Sequence, residues 1–192
     1  MIKMKILIYL FTIFFNFQYF ANSQSLEMEY KISKPPLCTN NNGKNVYFKN
    51  LNSKTGMFPA GVAKKDINGL PVIYRFNYQK APKSLQIFID FHECAHHQTG
   101  DLENKPPQQN SFEYMMKESI ADCVAAIRIK SDKINGKILM KEVLVELKKD
   151  MTNIGFPKST IESRKLNIVK CFKKDISLST YIDNVLHKRN LK

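Results

Sequence analysis

The chain has no C-x-x-C pair, no internal repeat, no low-complexity tract and few arginines. Each absence excludes something. Without closely paired cysteines, a cysteine-based zinc site has no ligand set. Without repeats or biased tracts, the 192 residues, 43% of them hydrophobic, read as a globular chain long enough to bury a real core. The arginines are Arg75, Arg128, Arg164 and Arg189, so lysine carries most of the formal charge of +13. Bidentate recognition of phosphates and bases favours arginine. The lysines are scattered, without a dense run or interleaved aromatics. They read as a solvated surface, and no specific nucleic-acid partner is expected.

A spanning apolar run is also missing. Lys3 and Lys5 precede an apolar stretch from Ile6 to Phe20 that Asn16 and Gln18 interrupt. That stretch is shorter than the roughly 20 residues a membrane helix needs. Small residues at Ala21 and Ser23 complete a signal-peptide layout over residues 1–23. No cysteine lies near the cleavage point, which argues against a lipid anchor. The expectation is an exported protein, periplasmic or secreted, with no stable membrane anchor after cleavage and residues 24–192 as one domain. In an oxidising compartment Cys38, Cys94, Cys123 and Cys171 suggest two disulfides. Four cysteines allow three connectivities, and sequence does not choose among them.

Along the mature part, "NVYFKNL" is a strand candidate, and "AGVAKKDINGLPVIYRFN" (60–77) reads as a hairpin turning at Asn68-Gly69. Pro71, at the start of the second arm, suits an edge strand. A helix follows, with Pro82 in its first turn and Gly100 as its stop. Leu85, Phe88, Ile89, His92 and His96 share one of its faces. Asn110 and Glu113 form a capping pair for a second helix over roughly 111–130. "KILMKEVLVELKKDM" starts a third, Ser159 and Glu162 cap a fourth, and the tail from Asp175 adds a short last one. The class is α+β: a small N-terminal antiparallel sheet or hairpin, then a helical core.

The stretch "FIDFHECAHHQTGD" holds His92, Glu93 and His96 in the order H-E-x-x-H. Four residues apart on a helix, the two histidines project from one face and can reach one ion. Imidazole suits zinc, and Glu93, about 100° around the helix, sits where it can take a proton from bound water. The alternative is a pair of core histidines with an exposed glutamate between them. Unpaired buried histidines are costly, which weighs against it. The metzincin continuation fails, because positions 99 and 102 are Thr99 and Leu102.

A third ligand is offered by "KESIADCVAA" on the second helix. Glu118 and Asp122 share a face on an otherwise apolar segment. Glu118 can complete the coordination, and Asp122 can accept a hydrogen bond from the free ring nitrogen of a ligating histidine. Asp101 is the reserve third ligand. His97 reads as a hydrogen-bonded neighbour, since a catalytic zinc keeps one position open. The working disulfide assignment joins Cys94 to Cys123 and Cys38 to Cys171. Cys123 lies beside Asp122 on a helix that must pack near the histidines, and Cys94 points about 200° from His92, away from the metal.

HExxH followed by a helix bearing ExxAD resembles the gluzincin-type zinc metallopeptidases. The fuller pattern "HECAHH…ESIADC" is similar to uncharacterised exported bacterial metallopeptidase-like proteins. The resemblance extends to "PVIYRFN" and more loosely to "GFPKSTIESRKLNIVKC". It implies a zincin-like core in which the HExxH helix packs on the ExxAD helix, with one Zn2+ per chain. His92, His96 and Glu118 would be ligands, Glu93 the base and Asp122 the partner of a ligand. It also implies that the edge strand before the active helix pairs with an extended peptide or protein substrate. Zinc-dependent peptide hydrolysis, with zinc-bound water activated by Glu93, is the expected function. A catalytically inactive zinc-binding exported binding module is the alternative. Many gluzincins supply a further histidine or tyrosine for the oxyanion; His187, Tyr74 and Tyr114 are candidates, none assigned.

Overall fold

The computed structural model describes residues 29–52 and 58–192. The expected signal peptide lies outside the described residues. Three strands, β1 (Tyr47–Leu51), β2 (Ala60–Lys65) and β3 (Pro71–Phe76), form one sheet in the order β1-β3-β2. Five helices follow: α1 (Lys83–Gln98), α2 (Phe112–Ser131), α3 (Gly136–Ile154), α4 (Lys158–Lys173) and α5 (Leu178–Lys188). The class is α+β, as the patterning indicates.

The β2–β3 hairpin forms around Asp66, whose side chain accepts the amide hydrogens of Asn68 and Leu70, and Gly69 adopts φ +74°. Two expectations about the sheet need correction. It is mixed rather than antiparallel, because β1 joins β3 in parallel. In addition, β3 is central, with Val72 and Ile73 fully buried, and β2 is an edge. Pro71 is tolerated in the middle strand because it occupies the first position, opposite Lys65 at the end of β2.

Two helix starts also differ. Ser111, not Asn110, caps α2 by accepting the Tyr114 amide hydrogen, while Asn110 takes a left-handed conformation at φ 63°. Pro157 is the N-cap of α4, and no Ser159–Glu162 capping box forms; Glu162 pairs instead with Lys165. Shifts of one or two residues of this kind follow from loop geometry that periodicity does not contain.

Helix α1 is the spine of the molecule. On one side it packs against α2, with Leu85 and Phe88 joining Ala125, Ala126, Ile129, Val143 and Ile168 in the main core. On the other it meets the sheet, where Cys94 packs with Cys38, Val46 and Ile73. A buried ion pair ties β3 to α1: Arg75 donates from Nε to Asp90 Oδ1 at 2.8 Å and from Nη2 to Asp90 Oδ2. Burying two charges is tolerable because each nitrogen of this guanidinium has an acceptor, Nη1 reaching the Ser33 carbonyl, and the guanidinium lies over the Phe48 and Tyr78 rings.

The disulfides are Cys38–Cys94 and Cys123–Cys171, with Cα separations of 5.9 and 5.1 Å. The Cys94–Cys123 and Cys38–Cys171 assignment is therefore wrong. The reason is geometric. Helix α2 lies on the His92 face of α1, so a residue pointing about 200° from His92 faces the sheet instead. The bridges fasten the N-terminal segment to α1, and α2 to α4. Their presence fits an oxidising, exported environment. Among the described residues no helix is long and apolar enough to cross a membrane.

Candidate metal centre

The two histidines of α1 and Glu118 of α2 converge. His92 Nε2 lies 3.3 Å from His96 Nε2 and 3.1 Å from Glu118 Oε2, and His96 Nε2 is 3.7 Å from Glu118 Oε1. Donors about 2.05 Å from a tetrahedral ion stand roughly 3.3 Å apart. The three side chains thus match the spacing that one small ion requires, and this group could hold a metal.

The outer nitrogens are equally well defined. His92 Nδ1 donates to Asp122 Oδ1 at 2.9 Å, and His96 Nδ1 donates to Asp101 Oδ2 at 2.8 Å. A carboxylate only accepts, so each Nδ1 must carry the hydrogen. A neutral ring then presents its Nε2 lone pair to the shared point. This is the tautomer that a metal-ligating histidine needs. Asp122 therefore sits where the sequence places it, beside a histidine. Asp101, the reserve ligand, lies on the far side of His96 and cannot replace Glu118 in this arrangement.

Two arginines that the sequence reading left unused complete the shell. Arg164 of α4 grips Asp122 through Nε and Nη2 at 2.9 and 2.8 Å. Arg189, just after α5, lies 2.5 Å from Asp101 Oδ1 and donates to the Thr99 carbonyl. The Thr99 hydroxyl also donates to Asp101. Arginine scarcity was the available signal. In a lysine-rich chain all four arginines bind backbone carbonyls or buried carboxylates, with Arg128 reaching the Leu37 carbonyl and stacking on Phe91.

Electrostatics follow from these contacts. Burial disfavours a charged His92, but hydrogen bonds to Asp122 and Glu118 outweigh it and push the pKa up to about 10. Burial likewise opposes ionisation of Asp122, yet Arg164 and His92 hold its carboxyl down at about 2. Glu118 and Asp101 are lowered against the same burial penalty, Glu118 by its bond to His92 and Asp101 by its bond to His96. His97 is different. Burial lowers its pKa, and Nε2 bonds the Val72 carbonyl at 3.1 Å, which makes it a neutral link from α1 to β3.

Glu93 faces a cleft of about 480 Å³ whose walls include β2, His96, Glu118, Tyr114 and the Pro106-Pro107 loop. Its Oε2 accepts the Ala63 amide hydrogen at 2.8 Å. That amide therefore points away from β3, and by strand alternation so does the amide of Gly61. Gly61 permits the approach: a Cβ there would lie 2.4 Å from Glu93 Cγ and 2.7 Å from Ile89 Cγ2. Of the three residues considered for an oxyanion, Tyr114 lines this cleft, and Tyr74 and His187 do not. Burial and the neighbouring Glu118 carboxylate raise the Tyr114 pKa.

No protein-family model, curated protein or solved structure significantly matches the chain.

Proposed function

We propose that this protein is an exported, zinc-dependent peptidase that hydrolyses peptide bonds, with His92, His96 and Glu118 holding the ion and Glu93 as general base. The observation that carries the reading is the convergence of the three donors, at tetrahedral spacing, in a cleft bordered by β2, the strand that pairs with β3 alone among the described residues. Two imidazoles and one carboxylate favour zinc over calcium or magnesium, which prefer all-oxygen sets. A bound zinc would supply Lewis acidity, polarising the scissile carbonyl and lowering the pKa of water towards about 7.

The chain's own residues do the rest. Asp122 and Asp101 keep the imidazoles in the ligating tautomer. Beside the Ala63 amide that Glu93 engages, the outward backbone of β2 at Gly61 offers an edge on which an extended peptide adds a strand, placing its carbonyl beside the trio. Glu93 takes the proton of the attacking water and returns it to the leaving amine.

The second reading, a zinc-binding exported module without activity, draws on the engagement of Glu93 Oε2 by Ala63. Glu93→Gln separates the two. It preserves size and zinc occupancy but removes the basic oxygen. Peptide hydrolysis should fall by about 10²-fold or more, and a chelator should abolish wild-type activity until zinc is restored. A wild-type protein that holds zinc but cleaves no peptide library would favour the binding module.

A further inference from the structure

We infer that Arg189, delivered by the C-terminal segment, is a positioning residue for metal binding that acts through Asp101 on His96. The inference rests on the proposed metal site and adds to it a part of the chain remote in sequence.

Asp101 follows α1 by three residues, in a turn where Gly100 has φ +73°. Such a turn has few local restraints, and its carboxylate could swing to solvent. Two sets of contacts prevent this. The first is local: the Asp101 amide donates to the His96 carbonyl at 3.0 Å, and the Thr99 hydroxyl donates to Asp101 Oδ2 at 3.1 Å. The second comes from the other end of the chain. Arg189 Nη1 bridges the Thr99 carbonyl at 2.6 Å and Asp101 Oδ1 at 2.5 Å, clamping both sides of the glycine. Leu191 closes over the same glycine, where an added Cβ would lie 2.3 Å from Leu191 Cδ1. The tail itself is anchored, with Leu191 N donating to the Leu186 carbonyl and Lys192 paired with Asp183.

The chemical consequence is specific. Asp101 is 6% exposed and its carboxylate accepts from His96 Nδ1. One guanidinium, held between this carboxylate and the Thr99 carbonyl, keeps it aimed at the ring. With it in place, His96 carries its hydrogen on Nδ1 and turns the Nε2 lone pair to the metal point. Without it, the turn is free to release Asp101, and His96 populates the other tautomer, which puts a hydrogen where a ligand bond should form. His92 has the same construction from Arg164 and Asp122, so each ligating histidine is set by its own carboxylate and arginine.

The test is zinc affinity by chelator competition on the full mature chain, in wild type, Arg189→Ala, Arg189→Lys, Asp101→Asn and the Arg189→Ala/Asp101→Asn double variant. Arg189→Ala should weaken zinc binding by about 10–100-fold, the usual scale for disturbing a ligand's hydrogen-bond partner. Arg189→Lys should recover part of the loss. In the Asp101→Asn background the further effect of Arg189→Ala should largely vanish, because the two residues act in series. Equal affinity in Arg189→Ala and wild type, or fully additive losses in the double variant, would overturn the inference. Nitrogen NMR of the His96 ring without added metal supplies a readout independent of zinc and of hydrolysis. It should show the Nδ1-protonated form losing population in Arg189→Ala relative to Arg189→Lys, and an unchanged ring would overturn the inference too. If Arg189→Ala fails to fold, Arg189→Lys against wild type in the same two measurements decides: a weakened affinity with a shifted tautomer supports the role, and no change in either removes it. A wild type that binds no zinc would instead strike the proposed function, while the tautomer comparison still judges Arg189.

Discussion

Glu93 Oε2 accepts the Ala63 amide hydrogen at 2.8 Å, so strand β2 orients the carboxylate that stands beside the two histidines. The helix alone sets only the direction in which Glu93 leaves α1. The strand fixes where its oxygens rest.

That dependence makes Gly61→Ala a sharp probe. The new methyl would sit 2.4 Å from Glu93 Cγ, so either β2 or the Glu93 side chain must shift. Peptide hydrolysis should drop by roughly 10²-fold, the scale of a misplaced general base. Zinc occupancy by elemental analysis should stay near wild type, since none of the three donors lies on β2. Unchanged hydrolysis would show that Glu93 does not need its strand contact.

Glu118→Ala should abolish stoichiometric zinc, because it removes one of three converging donors. Asp101→Asn and Asp122→Asn should retain zinc at high concentration while weakening affinity by about 10–100-fold. The ordering of these variants in a metal titration distinguishes a ligand from a ligand's partner. A larger loss in Asp101→Asn than in Glu118→Ala would reverse the assignment.

Zinc binding should be proton-coupled. With Asp122 and Glu118 as partners, the His92 pKa stands at about 10, so at neutral pH the apoprotein ring carries a proton on Nε2 that the ion must displace. Affinity should rise with pH, by up to about tenfold per unit below that value. Calorimetric titrations in two buffers of different ionisation heat should register release of a proton near pH 7. The absence of any released proton would refute a charged His92.

Acid stability follows with the opposite sign. Asp122 is depressed to about 2 in the folded state, against about 3.9 when unfolded. Its contribution is present above the unfolded value and lost as pH falls through the folded one. The wild type should lose stability between about pH 4 and pH 2, and Asp122→Asn should flatten that part of the curve in chemical denaturation. His92 works the other way: its raised pKa stabilises the apoprotein below about 6.5, and the contribution disappears as pH climbs through 10.

Non-reducing peptide mapping should recover Cys38 with Cys94 and Cys123 with Cys171. Replacing Cys123 and Cys171 by serine should cost about 2–5 kcal/mol of stability, since the bridge closes a 48-residue separation. A peptide joining Cys94 to Cys123 would contradict the packing of α1 between sheet and helices.

What the sequence determined by itself was local. H-E-x-x-H on a helix places His92 and His96 one turn apart whatever surrounds them, and E-x-x-x-D does the same for Glu118 and Asp122. Asn68-Gly69 marks its hairpin, and the apolar periods mark five helices after a small sheet. Those features depend on neighbours within a few residues, which covalent geometry fixes. The tertiary structure decided the rest. It put β3 between β1 and β2 and thereby gave the cleft the edge of β2, a choice made by burial on both faces of the middle strand. It paired Cys94 with Cys38, because α2 claims the opposite side of α1. It sent Asp101 to the back of His96 rather than to the metal point. Arg164 reaches Asp122 across 42 residues, and Arg189 reaches the Thr99 carbonyl beside Asp101 across 90, distances over which no periodicity in the chain carries information. Only the packing of α4 and α5 against α1 and α2 brings those charges to the carboxylates that orient the histidines.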